Sequence, residues 1–258
     1  MQKGLTYPER MPLAPTPLQR FLRTRTGRRL ASALVRRTKA TLHGAENIPR
    51  EGGALLVGNH AILGVDAVPL TALLALHTGR TPRFLGERVL WKIPLLRLLL
   101  RPLGIVRGEP EAAVRLLEAG ELVCVYPGGV LDSYKPSSQA YTLQWGSRAG
   151  FARVAMRAKV PIVPIAGTGV DEIYEVRRRE HFLGRRLFGS ERYDLPIPRH
   201  LWPRIVPLDY YALAQVDTRG DVDRAEDVER VRRATYEAID AVLGAYRERR
   251  ASPVSDSR

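Results

Sequence analysis

The stretch LLVGNHAILGVDAVPL, residues 55–70, decides how the fold is interpreted, because the polar pair Asn59-His60 interrupts an otherwise apolar run. Residues 54–58 are apolar and form too short a run for a helix, so they predict a buried strand. The run that follows Asp66 predicts a helix. His60 therefore follows the carboxyl end of a strand, where open α/β sheets form their binding crevices.

The spacing between His60 and Asp66 raises a geometric problem. Six positions on a regular helix correspond to roughly 240° of rotation, so the two side chains do not share a helical face. They meet only if the chain between them is not helical, and Gly64 is a plausible place for the break. Asp66 would then accept a hydrogen bond from one imidazole nitrogen and fix the tautomer, and the other nitrogen would take a proton from a substrate hydroxyl. A purely structural histidine fits the spacing equally well.

Predicted strands and helices alternate along the rest of the chain. Strands are expected within residues 83–87, 103–108, 122–129, 160–169 and 204–210, and helices within 109–121 and 146–159. This alternation predicts an α/β fold with a mixed, largely buried sheet covered by helices.

The domain boundaries follow from composition. A proline-rich flexible arm is expected at residues 1–16, a single domain at 17–249 and a polar tail at 250–258. Within the domain we expect an N-terminal helix at 17–39, a core that carries the motifs at 40–210 and a C-terminal helix at 222–249. The N-terminal helix is basic and amphipathic, with a weak point at Gly27. It packs on the core with a solvated basic face, or lies on anionic lipid, and the two arrangements are compatible.

The net charge of +14 and the pI near 10.4 favour an anionic partner, which could be nucleic acid, a membrane surface or a phosphate-bearing substrate. Residues 1–50 hold eleven basic and two acidic side chains, and a second basic stretch covers 177–192. Nucleic acid is a distant alternative, since the charge is not interleaved with aromatic residues. No segment of about 20 uncharged apolar residues is present, and the nearest, 89–106, is interrupted by basic residues and prolines.

Several kinds of catalytic site are missing from the sequence. It contains no Gly-x-Ser-x-Gly elbow, no Walker loop and no cluster of ligands at zinc spacing. The single cysteine, Cys124, lies in an apolar run and is expected in the core. We therefore expect no metal, no cofactor and no protein nucleophile, and a base that acts directly on a substrate alcohol.

Four blocks together resemble the glycerolipid acyltransferases typified by 1-acylglycerol-3-phosphate acyltransferase. They are HGAENIPREGGALLVGNHAILGVDA (43–67), LGIVRG (103–108), LEAGELVCVYPGGVLDSYK (117–135) and AKVPIVPIAGTG (158–169). The resemblance spans about residues 41–170 and implies the glycerolipid acyltransferase fold. It also implies transfer of a fatty acyl group from acyl-CoA or acyl carrier protein to the hydroxyl of a lipid. His60 would be the general base and Asp66 the residue that orients it.

The sequence departs from the usual family pattern at two motifs. Five residues, not four, separate His60 from Asp66, and Pro-Gly-Gly replaces Pro-Glu-Gly at 127–129. Together with residues 141–164, these features resemble the branch of diacylglycerol acyltransferase-like and phytyl ester synthase-like proteins. In that branch Asp132 is the acid of the third block. The resemblance implies a neutral glycerolipid or a long-chain alcohol as acceptor, with 1-acylglycerol-3-phosphate or another lysophospholipid as the alternative.

Five residues are expected to bind substrate: Asn59, Arg107, Gly128, Gly129 and Asp132. Glycines after a buried strand allow backbone N–H groups to converge on an oxyanion or a phosphate, although a plain tight turn explains them too. The guanidinium of Arg107 suits a phosphate of the acceptor or of coenzyme A, although a solvated arginine is as good an explanation.

The basic segments suggest where the protein works. A cationic N-terminal helix and the basic apolar stretch 89–106 would hold it at an anionic leaflet, with each Lys or Arg near the surface worth about 1 kcal/mol. We expect a cytoplasmic, peripheral protein on the inner face of the membrane. Its expected partners are acyl-CoA or acyl carrier protein, a lipid alcohol and anionic lipid, and not nucleic acid.

Overall fold

The computed structural model describes residues 13–87, 91, 94–176, 199–200 and 202–251. It confirms the predicted α/β fold. The helices are α1 (Pro17–Arg23), α2 (Arg25–Thr38), α3 (Ala67–Thr78), α4 (Pro94–Leu100), α5 (Pro110–Glu118), α6 (Gly129–Ser133), α7 (Gly150–Ala158) and α8 (Ala225–Ala251). The strands are β1 (Ala40–His43), β2 (Ala54–Gly58), β3 (Arg83–Gly86), β4 (Ile105–Arg107), β5 (Leu122–Val125), β6 (Ile162–Thr168) and β7 (Leu208–Ala212).

The seven strands found within the described ranges form one mixed sheet in the order β1-β7-β6-β2-β5-β3-β4. Strands β2 to β6 are parallel to one another, whereas β7 is antiparallel to β6 and parallel to β1. The carboxyl ends of β2 to β6 therefore share one edge of the sheet, which we call the carboxyl edge. Strand β2 lies between β5 and β6, so His60 follows a central strand.

The core lies on both faces of the sheet, because successive strand residues point to opposite sides. In β2, Ala54 and Leu56 pack on the face that α3 covers, and Leu55 and Val57 pack on the face that α5, α7 and α8 cover. Trp145 is fully buried in the second cluster, edge-on to Phe151. The aromatic block after residue 141 therefore belongs to the core. Cys124 is buried as well, as expected.

The prediction of one N-terminal helix over 17–39 is wrong, because the helix divides at Thr24. The extended backbone of Thr24 ends α1, and its Oγ1 accepts from the Gly27 N–H at 3.0 Å and so caps α2. A Cβ at Gly27 would collide with the Phe21 carbonyl, so the glycine allows α2 to cross α1 closely. Leu22 and Ala31 are buried in a cluster with residues of α3.

The terminal segments differ from the expected boundaries. Only residues 13–16 of the expected arm are described, and the Thr16 side chain caps α1 and is buried. The C-terminal helix runs over Ala225–Ala251 rather than 222–249, so its last residues occupy the start of the expected tail. The basic stretch 177–192 lies outside the described residues. Among the described helices, none is both long and apolar enough to cross a bilayer.

Candidate active site

Asn59 continues the strand pairing beyond the end of β2. Its side-chain amide donates to the Gly167 carbonyl at 2.9 Å, and its Oδ1 accepts from the Gly167 N–H at 2.8 Å. The side chain is buried and both of its polar atoms are occupied by the backbone of β6. Asn59, which the sequence predicted to bind substrate, thus locks β2 to β6 just before His60.

The loop after His60 leaves the helical path, as the spacing argument required. Leu63 and Gly64 both have positive φ, 57° and 65°, and α3 begins only at Ala67. A left-handed leucine is strained by roughly 1–3 kcal/mol, and this one is also 77% exposed. The turn carries Asp66 back toward the strand end, where its Oδ1 accepts from the Ala61 N–H at 2.8 Å.

The imidazole of His60 is partly buried between two backbone loops. Its ring stacks on Tyr126 with centroids 4.4 Å apart and an interplanar angle of 21°. Its Nε2 lies 3.3 Å from the Gly129 carbonyl oxygen. A carbonyl only accepts hydrogen bonds, so this contact assigns the proton of the neutral ring to Nε2 and the lone pair to Nδ1.

The expected hydrogen bond between His60 and Asp66 is not formed in this structure. Within the described part of the chain, His60 Nδ1 and Asp66 Oδ2 are both buried and have no hydrogen-bond partner. The turn at Gly64 is present as predicted, whereas in this structure Asp66 Oδ1 bonds to the backbone N–H of Ala61 and not to His60. The two side chains come from one short loop and each retains one unsatisfied atom.

Burial shifts both titrations toward the uncharged forms. It lowers the pKa of His60 from 6.5 to about 4, against a smaller opposing effect of the Gly129 carbonyl. It raises the pKa of Asp66 from 3.8 to about 7, against a smaller opposing effect of the Ala61 N–H. At neutral pH the imidazole is therefore uncharged and able to accept a proton.

The Pro-Gly-Gly turn at 127–129 points its Gly129 carbonyl at His60. Gly129 has φ of +51°, and its N–H donates to the Tyr126 carbonyl at 3.0 Å. That N–H is used within the turn, so the expectation that it binds an oxyanion is wrong. The Gly128 N–H makes no hydrogen bond to any residue that the structure describes. The Arg148 guanidinium donates to the carbonyls of Pro127 and Gly128 at 3.3 and 3.1 Å and so fixes the turn from behind.

Gly128 is required for packing, and this gives the first prediction. A Cβ at this position would collide with the Asp132 side chain. Gly128→Ala is expected to lower the free energy of unfolding by about 1–3 kcal/mol, as overpacking does. Gly150→Ala is the control, since a Cβ there meets nothing within 4 Å. Urea unfolding of both variants measures the difference, and equal stability of the two would contradict this packing.

Asp132, which was predicted to bind substrate, lies in the interior of the protein. It is fully buried, and its Oδ1 accepts from Lys135 Nζ at 3.2 Å and from the Gln144 N–H at 3.1 Å. Sequence reasoning missed the role of Lys135. The spacing of three between Asp132 and Lys135 was the available signal, but nothing in the sequence indicates that the pair is buried.

Arg107 lies at the edge strand β4, three strands from β2, so the structure does not bring it together with His60. Its side chain is 53% exposed, and its Nε bonds to Glu109 at 3.0 Å. It lines an open cleft of about 390 Å³ together with Arg97 and Arg101. Arg107, which the sequence predicted to bind substrate, therefore lies in a cleft with two further arginine side chains.

The comparison with protein families is decisive for the classification. The model of the family named Acyltransferase matches residues 39–168, about half of the 258-residue chain. The chain belongs to the Acyltransferase family. The matched segment contains the loop of His60 and Asp66, the Pro-Gly-Gly turn and Arg107, so every predicted site residue lies within the family region.

Relatives of this family member include proteins named for storage lipids. A cattle protein named "DGAT1/2-independent enzyme synthesizing storage lipids" is 38% identical over 131 residues, 51% of this chain and 39% of the relative. Its chicken namesake is 37% identical over 163 residues, 62% of this chain and 47% of the relative. An uncharacterized protein of Mycobacterium tuberculosis is 36% identical over 162 residues, 61% of this chain and 44% of the relative. The match spans less than half the length of each of these relatives.

Among solved structures, the acyltransferase-family chain resembles PlsC of Thermotoga maritima, described as a 1-acyl-sn-glycerophosphate (LPA) acyltransferase. The TM-score is 0.54, and the match covers 90% of this chain and 87% of the other at 18% identity. At that identity the likeness establishes the fold. It confirms the predicted glycerolipid acyltransferase architecture.

Proposed function

We propose that this protein transfers a fatty acyl group from acyl-CoA or acyl carrier protein to the hydroxyl of a lipid, with His60 as general base. The observation that carries the proposal is the position of the His60 imidazole, partly buried at the carboxyl edge and stacked on Tyr126, in a chain of the Acyltransferase family. A base whose lone pair is available at neutral pH is what activation of an alcohol requires.

The chemistry uses His60, Asp66, the Gly128 N–H and the two substrates. His60 takes the proton of the lipid hydroxyl, and the oxygen attacks the thioester carbonyl carbon. The tetrahedral intermediate expels the thiolate, which takes the proton back from the imidazolium, so an ester and a thiol are formed. The Gly128 N–H is the backbone donor that we assign to the oxyanion.

Asp66 supports the base in this scheme. The atoms that the mechanism pairs are His60 Nδ1 and Asp66 Oδ2, and these are the two that the resting structure leaves unsatisfied. A buried unsatisfied polar atom costs about 1–3 kcal/mol, so a rearrangement that pairs them is favoured. When the ring turns away from the Gly129 carbonyl and its proton moves from Nε2 to Nδ1, Nδ1–H donates to Asp66 Oδ2 and the lone pair of Nε2 faces the lipid hydroxyl.

A neutral lipid alcohol is the acceptor that we favour. The turn at 127–129 has glycine where the phosphatidate-making pattern has glutamate. The relatives at 37–38% identity carry names that refer to storage lipids. Phospholipid synthesis, with 1-acylglycerol-3-phosphate as acceptor, is the second candidate, because the cleft with Arg97, Arg101 and Arg107 offers charge to a phosphate.

A panel of acceptors decides between the two. Purified protein receives isotope-labelled acyl-CoA with diacylglycerol, a long-chain alcohol, lysophosphatidate and lysophosphatidylcholine in separate reactions, and the lipids are read by mass. The proposal expects label in triacylglycerol or wax ester. Label in phosphatidate alone would support the second candidate, and no product from any acceptor with acyl-CoA or acyl carrier protein would refute acyl transfer.

We also propose that α4 lies on the anionic inner leaflet of the membrane. Leu95, Leu98 and Leu99 are 69%, 69% and 59% exposed, and residues 91–107 contain basic but no acidic side chains. Leu63 and Val68 expose further apolar surface beside the loop of His60. By contrast, much of the apolar surface of α1 and α2 packs on α3.

Glutamates on α4 should release the protein from lipid. Leu98→Glu/Leu99→Glu is expected to weaken binding to vesicles with anionic phospholipid at low salt at least tenfold, since each leucine loses about 1.5–3 kcal/mol of burial. Ile205→Glu, at a 51% exposed apolar residue outside α4, is the control and should bind normally. Vesicle sedimentation measures both, and equal binding of all three proteins would exclude α4 as the contact.

A further inference from the structure

Lys135 is a buried cation that the mechanism above does not use. Its side chain is 3% exposed, and its Nζ lies 3.2 Å from Asp132 Oδ1 and 3.1 Å from Asp171 Oδ2. Burial alone would lower the pKa of Lys135, but the two carboxylates raise it above its usual value. The ammonium is therefore charged and bridges two buried acids.

The position of this bridge in the sheet is informative. Asp132 belongs to α6, which follows β5, and Asp171 lies in the short turn that follows β6. Strands β5 and β6 flank β2 on its two sides, and all three are parallel. The bridge from Asp132 through Lys135 to Asp171 therefore links the two loops on either side of the strand that carries His60.

Each end of the bridge is tied to the surroundings of His60. Asp132 packs against Gly128, and its N–H donates to the Gly128 carbonyl at 3.4 Å, in the turn whose Gly129 carbonyl contacts His60. On the other side, Lys135 and Asp171 line a small cavity together with Ala61, which follows His60 directly. A displacement of the bridge thus moves the turn or the loop on which the imidazole depends.

Stability alone is a poor explanation of such a bridge. Burying three charges carries a large desolvation cost, and a buried ion pair often adds no more stability than apolar side chains of the same volume. We propose that Lys135 is a positioning residue for the acyl-transfer reaction: it holds the loops after β5 and β6 at a fixed separation and so keeps the Gly128 N–H, the donor assigned to the oxyanion, beside His60. This inference rests on the proposed function.

The test removes the bridge without changing the charge of the cluster. Lys135→Met alone would leave two acids buried together and strongly destabilise the fold, so the decisive variant is Lys135→Met/Asp171→Asn, which keeps one negative charge, as in the wild type. We expect kcat to fall about 10–100-fold with KM within twofold, because misplacement of reacting groups acts on the chemical step. Lys135→Arg, which preserves the charge, should recover most of the rate.

The chain offers a matched control at the opposite edge of the sheet. Arg83 and Glu121 form an ion pair at 3.0 Å with side chains 9% and 16% exposed, at the start of β3 and just before β5. Arg83→Met/Glu121→Gln should lose stability but keep kcat. Two results would show that Lys135 is merely structural. In the first, both double variants keep the wild-type kcat; in the second, both have the same melting temperature and the same reduced kcat.

A second readout does not depend on activity. The imidazole signals of His60, assigned by their loss in His60→Ala, report the ring's surroundings by NMR. The bridge variant is expected to shift them and the control variant is not; unchanged signals would overturn the proposal. If the wild-type protein transfers no acyl group at all, the proposed function fails, while these spectra still decide whether Lys135 positions the ring.

Discussion

His60→Ala is expected to lower the rate of acyl transfer by roughly 10²–10⁴-fold, the contribution typical of a general base. The imidazole is neutral at pH 7, since burial lowers its pKa to about 4, so the wild type has a base ready and the variant has none. The ring is partly exposed and stacks on Tyr126 alone among the described aromatic side chains. Its loss should therefore leave the protein folded, as circular dichroism and the melting temperature will show.

A second histidine provides the matched control. His43 bonds to Asp209 at 3.1 Å and stacks on Tyr211 with centroids 4.6 Å apart. It resembles a catalytic pair, but β1 runs opposite to β2, so His43 lies at the edge away from His60. His43→Ala should transfer acyl groups at the wild-type rate. Equal activity of the two alanine variants would remove His60 from the mechanism.

Asp66→Asn should reduce the rate by roughly 10²–10⁴-fold and change its dependence on pH. Burial raises the pKa of Asp66 to about 7, so the carboxylate that stabilises the imidazolium is present only above that pH. The wild-type kcat/KM should therefore rise as pH increases through about 7, and the asparagine variant should lack this rise. A wild-type profile that is flat between pH 5.5 and 8.5 would contradict the role of Asp66.

Asp66→Asn should lower the rate of acyl transfer but make the protein more stable than the wild type as pH rises. The pKa of Asp66 is higher in the folded than in the unfolded chain, so its contribution to stability is greatest below pH 4 and is lost as pH rises through about 7. Asparagine does not titrate, and its Oδ1 can still accept from Ala61. The free energy of unfolding of the variant relative to wild type should grow by about 3 kcal/mol between pH 5 and 8. Denaturant titrations at these two values measure the difference.

The sequence was sufficient to predict the placement of His60, because a short apolar run followed by a polar pair specifies a strand end. It was also sufficient to predict the turn at Gly64, since the His–Asp spacing does not fit a helix. It did not show which atoms the polar groups use. Asn59 satisfies the backbone of β6, which is more than a hundred residues away, and only the strand order brings them together.

Two further features, the division of the N-terminal helix at Thr24 and the burial of Lys135, could not be predicted from the sequence. Thr24 breaks the N-terminal helix because its hydroxyl caps α2, and a threonine inside a helical pattern gives only a weak indication of a cap. In the sequence Lys135 resembles a surface residue, because its neighbours are polar. It is buried because Asp171, in the turn after β6, forms an ion pair with it. The side-chain contacts that the sequence did not predict are mostly contacts between segments that are distant along the chain.

The central claim is that the acyl group passes directly to a lipid hydroxyl that His60 activates, without an acylated protein. One experiment tests it. The protein is incubated with labelled acyl-CoA, with and without diacylglycerol or a long-chain alcohol. The masses of the intact protein and of the lipids are then measured by mass spectrometry. The account predicts an unchanged protein mass in both reactions and a labelled ester only with the acceptor. A protein that gains the mass of one acyl group, and loses it when the alcohol is added, would contradict it.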